Sequence, residues 1–257
     1  MTRAAPPIRD RRVRFALVGC GRIAKSHFAA LAGLRDRAEL VAVCDSDPRA
    51  LDEATAANAA AGYDSLTALL AQSEPDVVVL ATPSGLHAEQ TIQIAQAGRH
   101  VMTEKPMATR WHDGKRMVQA CDTAGVRLLV VKQNRYNATL QLAKRAVESH
   151  RFGRIYMVTV NVFWTRPQSY FDSAKWRGTW EFAEPAPEDE LVKKASYATP
   201  SVYGFGHSAY YDNVIKVLSG DAEPQTDGRE GLRSLEILIA IYRSARDGTR
   251  VSLPLEY

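Results

Sequence analysis

Apolar positions in the first half of the chain come in short unbroken blocks rather than in alternation. The blocks are Val13–Val18, 40–44, 77–81, His100–Thr103 and 128–131, and several are rich in valine. A block apolar on both faces suits a strand covered from both sides, as in a parallel sheet. Between them, 23–35, 48–60, 65–72, 88–98 and 109–124 carry apolar residues at helical spacing. This alternation predicts an α/β fold, a doubly wound parallel sheet with right-handed crossovers and helices on each face.

From Asn134 the texture changes. The pattern predicts a helix over 137–150 and one long strand over 154–164, with Tyr156, Val158, Val160 and Val162 on one face. Residues 165–206 hold aromatics, prolines and charges without a steady period, and an acidic, proline-containing joint spans 184–190. Two helices follow, over 206–219 and 229–247, the second stopped by Gly248, and then a short strand over 251–255. The chain thus divides into a flexible tail over 1–12, an α/β domain over 13–132, and an α+β domain over 133–257 for substrate and oligomer contacts.

The 257 residues are 46% apolar, enough for a sizeable core, and the net charge of +4 comes from arginines scattered among acids. No basic run interleaves with aromatics, so nucleic acid is not expected as a partner. Nor does any long apolar stretch predict a signal peptide or membrane span. Cys20, Cys44 and Cys121 have no metal-type spacing, which favours reduced thiols, a cytoplasmic location and no zinc site.

The first strand runs straight into Gly19-Cys20-Gly21-Arg22-Ile23-Ala24, which opens a helix. Gly19 permits a tight turn, Gly21 lets a diphosphate approach the backbone, and Ala24 lets helix meet strand. Free amides at the helix start face the phosphates. Asp45 closes the second strand at the place where a carboxylate accepts hydrogen bonds from a ribose and repels a 2′-phosphate, so the cofactor expected is NAD. The same residue also suits an ordinary strand-end turn.

Two further strand ends reach the same edge. One carries Ala81-Thr82-Pro83-Ser84-Gly85-Leu86-His87, where His87 either hydrogen-bonds the cofactor or starts the next helix. The other carries Thr103-Glu104-Lys105-Pro106. A partly buried lysine there has its proton affinity lowered by desolvation and can take part in deprotonating a hydroxyl. Taken alone, Glu-Lys-Pro is a common surface tripeptide.

Together the glycine turn, Ala81-Thr82-Pro83 with His87, and Glu104-Lys105-Pro106 resemble the glucose-fructose oxidoreductase/inositol dehydrogenase family, Gfo/Idh/MocA, with its Rossmann domain. The branch most similar, through 131–135, 163–167, 176–180, 203–207 and 211–216, is the bacterial UDP-N-acetylglucosaminuronate dehydrogenases of lipopolysaccharide O-antigen synthesis. The resemblance implies NAD-dependent oxidation of the sugar 3-hydroxyl of a UDP-sugar. It implies Lys105 as catalytic and substrate contact, and Gly19, Gly21, Arg22, Ile23, Asp45, Ser46, Thr82, Pro83, His87, Glu104 and Gln133 as cofactor contacts. It further implies Trp176 and Arg177 near the nicotinamide, and Arg166, Gln168, Tyr203 and His207 as contacts for the uronate or diphosphate. A homo-oligomer is compatible with it.

The likeness breaks after Trp180-Glu181-Phe182, where the family continues into a helix bearing His and Asp on one face. Here Ala183-Glu184-Pro185-Ala186-Pro187-Glu188-Asp189-Glu190 follows instead. His207 and Asp212 do not replace that pair, because five residues turn them about 140° apart on a helix. The expectation is a truncated second domain, from an in-frame loss of an internal segment. An alternative outcome is a catalytically inert protein that still binds NAD and nucleotide sugar.

Overall fold

The computed structural model describes residues 7–160 and 206–255. Six parallel strands form one sheet in the order β3-β2-β1-β4-β5-β6: β1 (Val13–Val18), β2 (Ala38–Cys44), β3 (Ala61–Tyr63), β4 (Val77–Leu80), β5 (His100–Thr103) and β6 (Leu128–Val130). This is the strand order of a dinucleotide-binding doubly wound sheet, with its topological switch between β1 and β4. The helices are α1 (Ala24–Ala32), α2 (Pro48–Asn58), α3 (Leu66–Gln72), α4 (His87–Gln96), α5 (Trp111–Ala124), α6 (Ala138–Glu148), α7 (Gly206–Leu218) and α8 (Gly228–Asp247). Edge strand β3 was not anticipated: Ala61 and Gly62 are exposed, so no apolar block marks it.

Local chemistry sets the ends. Asp47 accepts a hydrogen bond from the Arg49 amide at the start of α2, Ser65 does so for Ala68 at α3, and Asp227 for Glu230 at α8. Gly125 and Gly248 end α5 and α8 in the left-handed conformation.

Both faces of the sheet are dry. On one, Ala16, Val18, Val78, Leu80 and Val130 meet α3, α4, α5 and Leu235 of α8. On the other, Phe15, Leu17, Val79, Met102 and Leu129 are covered by α1 and by Tyr210, Tyr211, Val214 and Ile215 of α7. By contacts the chain divides into Met1–Asn137 with Phe205–Tyr257, and Ala138–Gly204. This differs from the boundary drawn at 133. The reason is that one sheet face beside α1 has no cover from its own segment, and α7 supplies it. Within the second unit, α6 is described, and no strand pairing is present over 154–160; residues 161–164 of the expected strand lie outside the described residues.

Two further expectations are corrected. The strand expected at 251–255 does not form; the Leu255 amide instead donates to Glu236 Oε1 on α8 (2.8 Å). Residues 8–12 of the leader are not loose. The Ile8 amide donates to Leu218 O (2.8 Å), Arg11 makes a two-pronged bond to Asp76 (2.6 and 2.7 Å), and Arg12 pairs with Glu39. The arginines find carboxylates at the amino edge of the sheet. Burial pushes the Asp76 carboxyl up, but Arg11 and the Arg14 amide together hold it below its ordinary value.

Candidate functional site

The carboxyl ends of β1, β2, β4 and β5 meet at the switch point. Gly19 has φ +93, and a Cβ on it would stand 2.7–2.8 Å from Ala81 C and O and Thr82 N. Only glycine lets the end of β1 lie against the end of β4 in this way. The Gly19 amide donates to Cys44 O (2.8 Å) and the Cys20 amide to Asp45 Oδ2 (2.7 Å), while Asp45 Oδ1 accepts from the Asp47 amide (2.9 Å). Half-buried Asp45 therefore shapes the turn, and each of its oxygens keeps a second lone pair for a hydroxyl donor.

Beyond the turn the chain leaves room for an anion. Gly21 and Arg22 are exposed, and no atom lies within 4 Å of a Cβ placed on Gly21. Ile23 at the start of α1 supplies no side-chain cap, so a diphosphate fits there as acceptor for the first-turn amides. Ser46 is exposed beside Asp45. The neighbouring thiols are inert: burial, followed by the Asp45 charge, pushes Cys20 up to about 12 and Cys44 up to about 11.

On the loop after β4, Pro83 is exposed and the Thr82 hydroxyl donates to Gln90 Oε1 (2.6 Å). His87 is the first residue of α4 and wholly buried, its Nδ1 3.0 Å from Pro106 O and its Nε2 3.0 Å from Thr82 O. Burial lowers its proton affinity. Of its two possible roles, it takes the helix start, and it ties two site loops together. Its two ring nitrogens face carbonyl oxygens, and a neutral imidazole donates to one of them.

At the end of β5 successive side chains diverge. Lys105 is exposed, in place of the partly buried setting expected for it, and precedes a cis peptide bond to Pro106. Glu104 is buried at 6% exposure, facing the interior rather than the cofactor edge assigned to it. Its Oε1 lies 3.2 Å from His27 Nε2 and 3.7 Å from His207 Nε2, and its Oε2 accepts from the Lys105 amide (3.1 Å). Burial acts to raise the Glu104 carboxyl, but the two imidazoles together hold it well below the usual carboxylate range.

His207, expected as a substrate contact, is 5% exposed and packs edge-on against His27. Asp212 turns away to pair with Arg37 (2.6 Å) and Lys216 (2.8 Å), in keeping with the five-residue spacing. Gln133 is buried, and its carbonyl abuts Gly206 so closely that a Cβ at Gly206 would overlap it. Trp176, Arg177, Arg166, Gln168 and Tyr203 lie outside the described residues.

Sequence reading missed His27. Its one local signal is position: it shares the inward face of α1 with Ala24, Ala30 and Leu31, where a polar side chain needs a partner. His27, Glu104 and His207 are also metal-ligand types, with ligand atoms within 4.8 Å of one another. Among the described residues, no helix is long and apolar enough to cross a membrane.

Comparison with known proteins places this geometry. Residues 13–132 match the family model for the oxidoreductase NAD-binding Rossmann fold, and 177–253 match that for the C-terminal alpha/beta domain of the same oxidoreductase family. The chain is similar to the WlbA dehydrogenase of Bordetella pertussis, crystallised with NADH and UDP-GlcNAcA, at 49% identity and a TM-score of 0.87, covering 97% of this chain and 100% of that one. The WlbA dehydrogenase of Chromobacterium violaceum, in complex with the same two molecules, is 46% identical with a TM-score of 0.87, covering 99% of each chain. Inositol 2-dehydrogenase of Rhizobium meliloti is 32% identical over 148 residues, 58% of this chain and 44% of that protein. The chain spans less than half the length of the first curated relatives it matches. With matches to both domain models and near full-length likeness to two dehydrogenases, the chain belongs to the Gfo/Idh/MocA oxidoreductase family.

Proposed function

We propose that the protein is an NAD-dependent dehydrogenase oxidising the 3-hydroxyl of a UDP-N-acetylglucosaminuronic acid type sugar nucleotide to a ketone. The observation that carries this reading is the 49% identity to a dehydrogenase crystallised with NADH and UDP-GlcNAcA. The site supports it, since an open glycine cradle and exposed Lys105 share one sheet edge.

Gly19, Gly21, Arg22 and Ile23 hold the diphosphate of NAD, and Asp45 beside Ser46 receives the adenine ribose and disfavours a 2′-phosphate. Bound there, NAD supplies a hydride acceptor. Lys105 hydrogen-bonds the reacting hydroxyl and takes part in its deprotonation. Thr82 and Pro83 border the cofactor, with His87, Glu104 and Gln133 acting from behind. Trp176 and Arg177 would serve the nicotinamide end, and Arg166, Gln168 and Tyr203 the charged sugar nucleotide. The enzyme works in the cytoplasm, and a homo-oligomer is compatible with this reading.

A second reading is binding of NAD and nucleotide sugar without turnover. It is favoured by the acidic, proline-rich run that follows Phe182 in place of a His- and Asp-bearing helix. Calorimetry with NAD and NADH absorbance with UDP-N-acetylglucosaminuronate separate the two. Turnover that disappears in Lys105→Ala establishes the enzyme, whereas NAD binding without NADH selects the inert reading.

A further inference from the structure

The sheet face shared by α1 and α7 buries a cluster of polar side chains. There the Tyr211 hydroxyl lies 3.0 Å from His27 Nδ1, His27 Nε2 lies 3.2 Å from Glu104 Oε1, and Glu104 Oε2 accepts the Lys105 amide at 3.1 Å. His207 joins from α7, its ring centroid 5.2 Å from that of His27. Among the described residues its buried Nε2 has no hydrogen-bond partner, and Glu104 Oε1 lies 3.7 Å away. A buried polar atom without a partner is uncommon and calls for an explanation.

We infer that Glu104 and His207 are a positioning pair for Lys105: through the Glu104 carboxylate, helix α7 fixes the backbone of the residue that meets the reacting hydroxyl. The inference rests on the dehydrogenase reading for its catalytic consequence. Lys105 is held from two sides. Glu104 grips its amide, and His87 Nδ1 faces the carbonyl of Pro106 at 3.0 Å. Glu104 Oε1 is itself met by His27 of α1, the helix that begins at the glycine cradle, at 3.2 Å, and faced by His207 of α7 at 3.7 Å. Removing the α7 imidazole lets the carboxylate turn and releases the Lys105 peptide, while the cradle, shaped by Gly19 and Asp45, is untouched.

The test uses the full chain with His207→Ala, His207→Gln and Glu104→Gln. For His207→Ala the expected result is a fall in kcat of about 10- to 100-fold, the scale of small misplacements at a reacting centre. KM for NAD stays within about twofold, and His207→Gln, which keeps an N–H donor, recovers part of the rate. Backbone hydrogen exchange read by NMR speeds up at the Lys105 amide but not at the Cys20 amide, in His207→Ala and in Glu104→Gln alike. This readout needs no turnover, so it decides the positioning even if the wild-type protein yields no NADH, in which case only the proposed activity fails. Should His207→Ala not fold, the near-isosteric Glu104→Gln carries the same comparison. Unchanged exchange at Lys105 in a folded variant overturns the inference, as does loss of NAD affinity in parallel with kcat. Stoichiometric zinc in the purified protein, with activity lost to a chelator, overturns it too, because the cluster is then a metal site.

Discussion

The ring of Tyr211 on α7 stands edge-on to Phe15 of β1, with centroids 5.2 Å apart and an interplanar angle of 63°. Both side chains are fully buried, so a residue near the end of the chain is part of the core of the first strand. Tyr211→Ala is expected to cost about 3–5 kcal/mol, as for other large aromatic truncations in cores. Tyr211→Phe keeps the packing but leaves His27 Nδ1 without its partner, a loss of about 1–3 kcal/mol. Urea unfolding monitored by circular dichroism measures both, and equal stability of the three proteins refutes the packing role.

Gly19→Ala places a Cβ against the Ala81–Thr82 backbone at a φ of +93. The strain is of order 1–3 kcal/mol, and the turn must open to relieve it. Calorimetry is expected to show NAD binding lost while the far-ultraviolet spectrum is kept; undiminished NAD affinity counts against a cradle at this turn.

Asp45→Ala removes the acceptor for the Cys20 amide as well as the proposed ribose contact. Hydrogen bonds to charged groups contribute about 1.5–3 kcal/mol, so NAD affinity should fall about tenfold or more. Asp45→Asn retains an oxygen acceptor but not the charge, and its preference for NAD over NADP should narrow. Competition titrations of the two cofactors decide this.

His100 Nδ1 accepts the Arg127 amide at 3.0 Å, which requires that nitrogen to be unprotonated. Burial first, then the Arg127 charge, lowers its pKa from 6.5 to about 4. As pH falls through 6.5 the unfolded chain takes up the proton before the folded one, so stability declines from there down to about pH 4. Unfolding free energies across this window should have a smaller slope in His100→Asn; the same slope in both proteins removes His100 as the cause.

The strands β1, β2, β4, β5 and β6 were legible because each is a compact apolar block whose pattern needs no knowledge of its neighbours. The glycine turn was legible for the same reason, as a strand, a Gly-x-Gly and a helix in direct succession. Edge strand β3 carries no such block, and the Leu255 amide at 251–255 bonds Glu236 rather than a strand, so one element was missed and another was overread. For α7 and α8 the sequence located the helices closely but named no partner surface, since an amphipathic stripe does not say which apolar face it will cover.

Glu104 shows the same division at the site. The family resemblance put it among the cofactor contacts, yet at the strand end Glu104 is buried while Lys105 beside it is exposed.

Short-range patterning alone determined the parallel sheet, its helices and the phosphate-binding corner, because these depend on residues within one or two turns of each other. Only the tertiary structure decided that the last part of the chain completes the first domain. His27 meets Glu104 across 77 positions and Tyr211 across 184. Such meetings are fixed by which apolar faces are left to bury, a property of the assembled sheet and of no single segment.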